Sequence, residues 1–388
     1  MRFAIFSWHG CELRIRGVTK TAYKKGETPM VSYMNAHAAL DNMRELTRSK
    51  QRALGPRAMI VGDASTGKST LCRILLSYAV RQGSRPIFVD LDVGQNAISV
   101  PGTIAATSIE QPISVEMSAD MGGGGGSAHS LSVKSPLTFF YGHTTPSAAP
   151  ELYSKLLAKL ASVVERRLVE HPLSNSSGLI INTCGWIDSA PGTPAYELLI
   201  SMAHILSVDV ILVLDRDDLT MALKADGRLQ AGTGPRAVSV AQLSKSGGVA
   251  IRDADYRKKA RNRALREYFY GSPGLEYTPH QKVVSWKEIE VFRVGGGPAI
   301  PNSALPIGAK RITDPNKLTR ITPSLDLMHS VLALSYAKDS AALLDTNVAG
   351  FVHVSAVDVV KKTITLLTPA PGPLPNNLFL SGQIKWID

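Results

Sequence analysis

The segment Gly62-Asp63-Ala64-Ser65-Thr66-Gly67-Lys68-Ser69 fits G-x-x-x-x-G-K-S/T, and it stands directly after a short apolar run, Ala58 to Val61, and directly before the helix-periodic stretch Lys68 to Arg81. A strand, a Gly-rich turn and a helix in that order form a phosphate-binding loop. Backbone N–H groups and the helix N-terminus cradle phosphates, Lys68 reaches the β- and γ-phosphates, and the Ser69 hydroxyl serves Mg²⁺. The surrounding sequence continues as β/α alternation: Pro86 to Leu91, Gly178 to Asn182 and Val208 to Leu214 read as strands, and Leu152 to Glu170 as a long amphipathic helix. Such alternation predicts an α/β P-loop NTPase core, a parallel sheet with helices on both faces.

Around this core the texture changes. Arg2 to Trp8 and Cys11 to Arg16 read as strands of a small β-rich N-terminal domain, followed by a helical pattern at Asn35 to Ser49 that Gly55-Pro56 breaks. After Gly271 come further strand candidates: Val283 to Trp286, Ile289 to Val294, Gly350 to Val354, Thr363 to Leu367 and Gln383 to Ile387. The expected organisation is a β-rich domain at 1–50, the P-loop domain at 51–275 and a β-rich C-terminal domain at 276–388. The Gly122 to Gly126 run, inside a Ser/Gly-rich stretch from about 117 to 135, reads as a surface insertion.

The 388 residues are enough for two or three domains, and no apolar run reaches the roughly 18 to 20 residues of a bilayer span. No membrane role is expected. Three widely spaced cysteines fit a reducing compartment, and the nine histidines show no zinc-ligand spacing. The net charge of +11 is concentrated in two places. Residues 1–60 hold eleven Lys/Arg against four Asp/Glu, and residues 251–270 hold seven against three. Two basic surfaces on a neutral body fit a polyanionic partner such as RNA or DNA, or else solvated charged faces.

Further chemistry gathers near the ends of the expected strands. Asp90 and Asp92, in Val89-Asp90-Leu91-Asp92-Val93-Gly94-Gln95, put two carboxylates at the ligand-binding edge of the sheet, facing one side of an extended chain. One can take an acceptor's proton or hold a Mg²⁺-bound water; the alternative is that one merely caps a turn. Asn182-Thr183-Cys184-Gly185-Trp186 ends another strand at the same edge, so Trp186 offers a flat face to a nucleobase or packs against the sheet. No N-K-x-D guanine motif occurs, which disfavours a GTPase. Ser246-Gly247-Gly248 precedes the basic segment Arg252, Arg257, Lys258, Lys259, Arg261, Arg263 and Arg266, which reads either as a hinged lid over the nucleotide or as a solvated helix.

Taken with Ser7-Trp8-His9-Gly10-Cys11, Thr28-Pro29-Met30, Pro101-Gly102-Thr103, Lys245-Ser246-Gly247-Gly248-Val249 and Arg266-Glu267-Tyr268-Phe269-Tyr270-Gly271, these motifs resemble the Clp-type polynucleotide 5′-hydroxyl kinase family of the pre-mRNA cleavage and polyadenylation machinery. The resemblance runs through nearly the whole chain. It implies an ATP-dependent kinase of RNA 5′-hydroxyl ends, acting in the nucleus in mRNA 3′-end processing and in tRNA splicing. Gly62, Ser65, Thr66, Gly67, Lys68, Ser69 and Thr70 would bind ATP, and Ser69, Asp90 and Asp92 would serve Mg²⁺. Lys68, Asp92 and the lid residues Arg252 and Arg257 would carry the transfer. Thr183, Gly185 and Trp186 would clasp the RNA end. The implied partners are 5′-hydroxyl RNA, other cleavage-complex subunits and the tRNA splicing endonuclease. An ATP-binding scaffold without turnover is the alternative. The family's N-terminal domain has further strands ahead of the Trp-His-Gly segment, so that domain is expected to be incomplete here, with Arg2 standing near an adenine contact.

Overall fold

The computed structural model describes residues 28–113, 136–232, 237–272, 275–295 and 318–387. The expected strands before residue 20, the Arg2 position and the Gly-rich stretch lie outside the described residues. The first described element is α1 (Met30–Arg48), and β1 (Arg57–Gly62) leads through the P-loop into α2 (Lys68–Arg81). Then follow β2 (Ile87–Asp90), β3 (Thr103–Ser108), β4 (Leu137–Phe140), α3 (Pro150–Glu170), α4 (Pro172–Ser177), β5 (Leu179–Asn182) and α5 (Pro194–Ile205). The unit closes with β6 (Val210–Leu214), α6 (Asp217–Ala225), α7 (Gly227–Gln230), β7 (Ser239–Leu243) and α8 (Ala254–Tyr270).

The central sheet has the order β4-β3-β2-β5-β1-β6-β7. Strands β2, β5, β1, β6 and β7 are parallel, so their carboxyl ends share one edge. The expected parallel sheet is present, with one antiparallel addition at its edge: β3 pairs antiparallel with both β2 and β4. The reason is local, since residues 91–102 contain no crossover helix and the Gly102 N–H closes the turn on the Val93 carbonyl at 2.8 Å.

Side chains of β1 alternate between the two faces as the strand period requires. Ala58 and Ile60 pack with Tyr33 and Leu40 of α1 and with Leu71, Leu75 and Leu76 of α2. Met59 and Val61 face α3 and α5. Helix α1, expected as the end of an N-terminal domain, therefore covers the same sheet face as α2. Its Tyr33 hydroxyl donates to the Ser244 carbonyl at 2.9 Å, just ahead of the basic segment.

The C-terminal part comprises β8 (Gly271–Ser272), β9 (Leu275–Glu276), β10 (His280–Ser285), β11 (Glu290–Val294), β12 (Leu318–Ile321), β13 (Ser330–Ser335), β14 (Val348–Asp358), β15 (Thr363–Thr368) and β16 (Leu378–Lys385). β10 to β16 form a second seven-stranded sheet in the order β10-β15-β14-β13-β16-β11-β12. It docks on the α3 face of the central sheet. The seam is backbone against backbone: a Cβ on Gly382 would lie 2.4 Å from Gly142 Cα, and the Gln383 N–H donates to the Gly142 carbonyl at 2.7 Å. At the same seam Phe269 stacks on Trp386 with ring centroids 5.4 Å apart, and the Phe351 N–H donates to the Tyr268 hydroxyl at 3.0 Å. The end of α8 is thus built into the second sheet.

Candidate active site

Gly62 ends β1, and the chain turns through Ser65 (φ 61°) and Gly67 (φ 96°) before α2 begins. Left-handed backbone at Gly67 is cheap only without a Cβ, and a Cβ there would also approach Val249 Cγ2 to 3.1 Å. The first N–H groups of α2 consequently face the loop's interior with the positive end of the helix dipole behind them. Lys68 is buried, and its ammonium donates to the Gly62 and Asp63 carbonyls, both at 2.8 Å. Two of its three donors hold the loop closed, and the third is available to a phosphate oxygen. Burial pushes its pKa down, with Asp92 opposing that shift.

The two carboxylates are not equivalent, contrary to their expected common outlook from an extended strand. β2 stops at Asp90, which is fully buried. Its Oδ1 accepts from the Asp92 N–H (3.0 Å) and Asn182 Nδ2 (2.9 Å), and its Oδ2 from the Ala97 N–H (2.6 Å). Burial first, and then Asp92, push its pKa up to about 7. Asp90 organises the loop from inside. Asp92 is only partly buried, and its Oδ1 accepts from the N–H groups of Gly94 (2.9 Å) and Gln95 (3.1 Å). Its Oδ2 accepts no hydrogen bond among the described residues, and Asp92 is the more exposed of the two carboxylates.

Asn182, at the end of β5, bridges these parts: its Nδ2 donates to Asp90 and reaches the Ser69 hydroxyl at 3.3 Å. The oxygen donors of Ser69 and Asp92 suit a hard cation brought in with a nucleotide, and no group of three or more His, Cys, Asp or Glu is arranged as a metal site among the described residues. The Thr183 hydroxyl turns inward and donates to the Ile60 carbonyl at 2.8 Å, its side chain buried. Gly185 lies against the P-loop, and Trp186 beside it is half-buried, packed partly on the core and partly open. The packing reading of the tryptophan accounts for the part of the side chain set against the core. Cys184 is buried, its thiol pushed up to about 12 by burial, so it is not a thiolate nucleophile.

The basic segment crosses above the loop. The Arg252 N–H donates to the Ser65 hydroxyl at 3.3 Å, and its guanidinium lies over the Tyr256 ring, 5.5 Å from the centroid. Asp253 caps α8 by accepting from the Tyr256 N–H at 2.7 Å. Arg257 is half-buried one turn on. Arg261, absent from the sequence-derived site, shares this face: burial and Arg257 lower its pKa while Asp92 raises it. The i, i+4 spacing from Arg257 was the available signal, but seven basic residues in one short segment hid which of them face inward.

Comparison with known proteins agrees with this arrangement. Residues 62–271 match the family model described as "mRNA cleavage and polyadenylation factor CLP1 P-loop", residues 277–388 "Pre-mRNA cleavage complex II protein Clp1", and residues 1–47 "N-terminal beta-sandwich domain of polyadenylation factor". "Protein CLP1 homolog" of Arabidopsis thaliana is 41% identical over 394 residues, covering 100% of this chain and 84% of that protein. "Polyribonucleotide 5'-hydroxyl-kinase Clp1" of Homo sapiens is 40% identical over 388 residues, covering 100% and 85%. Among solved structures, the Clp1p of "Extended interface between Pcf11p and Clp1p and structural basis for ATP loss in Gly135Arg point mutant" shares the fold at a TM-score of 0.77 and 24% identity, over 92% of this chain and 80% of that one. A chain matched end to end in this way, with its P-loop, paired carboxylates and arginine helix gathered at one sheet edge, belongs to the Clp1 family of mRNA cleavage and polyadenylation factors.

Proposed function

We propose that this chain is an ATP-dependent polynucleotide 5′-hydroxyl kinase acting on RNA ends. The observation that carries the reading is convergence: the P-loop, Asp92, the Trp186 turn and the basic segment from Arg252 to Arg261 lie at one carboxyl edge of one sheet, with the Arg252 N–H resting on Ser65. Relatives named polyribonucleotide 5'-hydroxyl-kinase, 40% identical over the whole chain, support it.

Residues 62–70 receive the triphosphate on their N–H groups, and Lys68 offers its remaining donor to the β- and γ-oxygens. Asp92, with one oxygen fixed by Gly94 and Gln95, accepts the proton of the attacking 5′-hydroxyl on the other. Arg252, Arg257 and Arg261 spread the charge that gathers on the transferring phosphoryl. Trp186 stacks the terminal base, while Thr183 and Gly185 hold that turn against the sheet and the P-loop. Ser69, with Asp92 acting through a metal-bound water, would hold the Mg²⁺ brought in with the nucleotide, which would offset charge on the phosphates, while Asp90 fixes the Asp92 backbone.

Membership in the family supports work within the nuclear pre-mRNA 3′-end cleavage complex, and the solved Clp1p complexed with Pcf11p supports subunit partners of that kind. A role with the tRNA splicing endonuclease is the further proposal. The test is transfer of labelled γ-phosphate from ATP to 5′-hydroxyl RNA and DNA oligonucleotides, with Lys68→Ala and Asp92→Asn as controls. Transfer by the wild type and its loss in both variants is expected. Tight ATP binding with no wild-type transfer would leave an ATP-binding scaffold.

A further inference from the structure

Arg216, immediately before α6, lies at the same sheet edge on the far side of the P-loop from Asp92. Its Nη1 donates to Asp63 Oδ1 at 2.9 Å, while its Nε and Nη2 fork onto the two oxygens of Asp218 at 2.7 and 2.6 Å. Asp63 is the second residue of the P-loop, and its carbonyl is one of the two that hold the Lys68 ammonium. Ala64, the residue after Asp63, lies against the turn that carries Trp186: a Cβ on Gly185 would come within 2.7 Å of the Ala64 nitrogen. A single guanidinium thus ties the start of the P-loop to the first turn of α6, one residue away from the contact on which the Trp186 turn is seated.

The magnitudes separate a geometric role from a stabilising one. Arg216 is about a quarter exposed and Asp63 and Asp218 about half, and ion pairs this wet contribute little to folding. A planar fork with fixed donor directions nonetheless sets angles between its partners, which an ammonium cannot do. The Arg216 hydrogen bonds hold the Asp218 carboxyl well below the usual range, so the network stays charged at neutral pH.

We infer that Arg216 is a positioning residue that locks Asp63, and through it Lys68, in register with the Trp186 turn, so that nucleotide and polynucleotide end are held in fixed relation. The inference rests on the kinase reading above. It separates from that reading experimentally, because ATP binding can be measured without RNA.

The test compares Arg216→Met, Arg216→Lys, Asp63→Asn and the Asp63→Asn/Arg216→Met double variant, reading the ATP Kd without RNA, KM for a 5′-hydroxyl oligonucleotide, kcat and the thermal midpoint. Arg216→Met is expected to raise both the ATP Kd and the oligonucleotide KM about fivefold with little change in midpoint. Arg216→Lys should restore neither constant, and adding Asp63→Asn to Arg216→Met should not raise the ATP Kd further. An unchanged ATP Kd in Arg216→Met would overturn the inference, as would additive effects of the two substitutions or full rescue by lysine. A wild type that binds ATP but transfers nothing would overturn the kinase reading, while the ATP Kd values still decide the link from Arg216 to Lys68.

Discussion

Gly185 sits so close to Ala64 that a Cβ on the glycine would lie 2.7 Å from the alanine's backbone nitrogen and 2.8 Å from its Cα. The turn that bears Trp186 is therefore seated directly on the phosphate loop, with no side chain between them. Gly185→Ala should push the two turns apart at a cost of about 1–3 kcal/mol of overpacking, because the clash is with backbone and cannot be relieved by a rotamer change. The expected result is weaker ATP binding and a raised KM for RNA together, measured by titration and by steady-state transfer. A rise in the RNA KM alone would mean that the contact does not reach the nucleotide.

Arg261 of α8 is half-buried and feels the charge of Asp92, and the proposed kinase function gives it a charge to stabilise. Arg261→Gln keeps a polar, hydrogen-bonding side chain on a shorter stem and removes the charge. Transfer should fall about a hundredfold in kcat, the scale of one lost charge-stabilising donor, while the ATP Kd changes little. Rapid-quench measurement of the chemical step distinguishes this from slowed product release.

The stacked pair Phe269 and Trp386 joins the end of α8 to the last strand of the second sheet, and Trp386 is buried. Trp386→Ala should destabilise the protein by about 3–5 kcal/mol, as large aromatic truncations do. Trp386→Phe should recover much of that loss. Denaturant unfolding followed by fluorescence and circular dichroism checks both values.

His37 on α1 bonds through Nε2 to Gln82 Oε1 at 2.7 Å and packs against Tyr78. Burial pushes its pKa below the ordinary 6.5, outweighing the Gln82 bond; Arg44 also lowers it and Asp41 raises it. The folded state then binds fewer protons than the unfolded state at mildly acid pH. Its contribution to stability is complete above the unfolded value and shrinks as pH falls below about 6.5 toward the folded value. Unfolding free energies of wild type and His37→Asn should converge as the pH is lowered from 7.5 to 5.5, an estimate of the window that follows from that linkage. A constant difference would show that His37 does not titrate across it.

The strongest sequence signals were those in which a short motif dictates its own geometry. The expected helix Lys68 to Arg81 matches α2 because the P-loop fixes its start and Gln82-Gly83 its end. Strands β3 and β7 are among those not expected from the sequence, as are β4, β12 and β13. Thr103–Ser108 is small and Thr-rich despite its burial, and Ser239–Leu243 is an edge strand with mostly exposed side chains, so neither carries a clear apolar period. At the site, residue types pointed to the chemistry but not to side-chain direction. Nothing in D-x-D tells which aspartate turns inward to bind Ala97 and Asn182, and nothing in T-x-G-W reveals that Thr183 spends its hydroxyl on Ile60.

The segment that leads into helix α8 rests on the phosphate loop through the Arg252 N–H, and the far end of the helix carries Tyr268, Phe269 and Tyr270 packed against Phe351, His353 and Trp386. Severing the chain after Gly271 would look like a clean cut in sequence. It would instead leave a row of aromatic rings facing water and the arginine helix without a footing. The second sheet is the foundation on which the arginine helix stands, and a kinase core expressed without it should be insoluble before it is inactive.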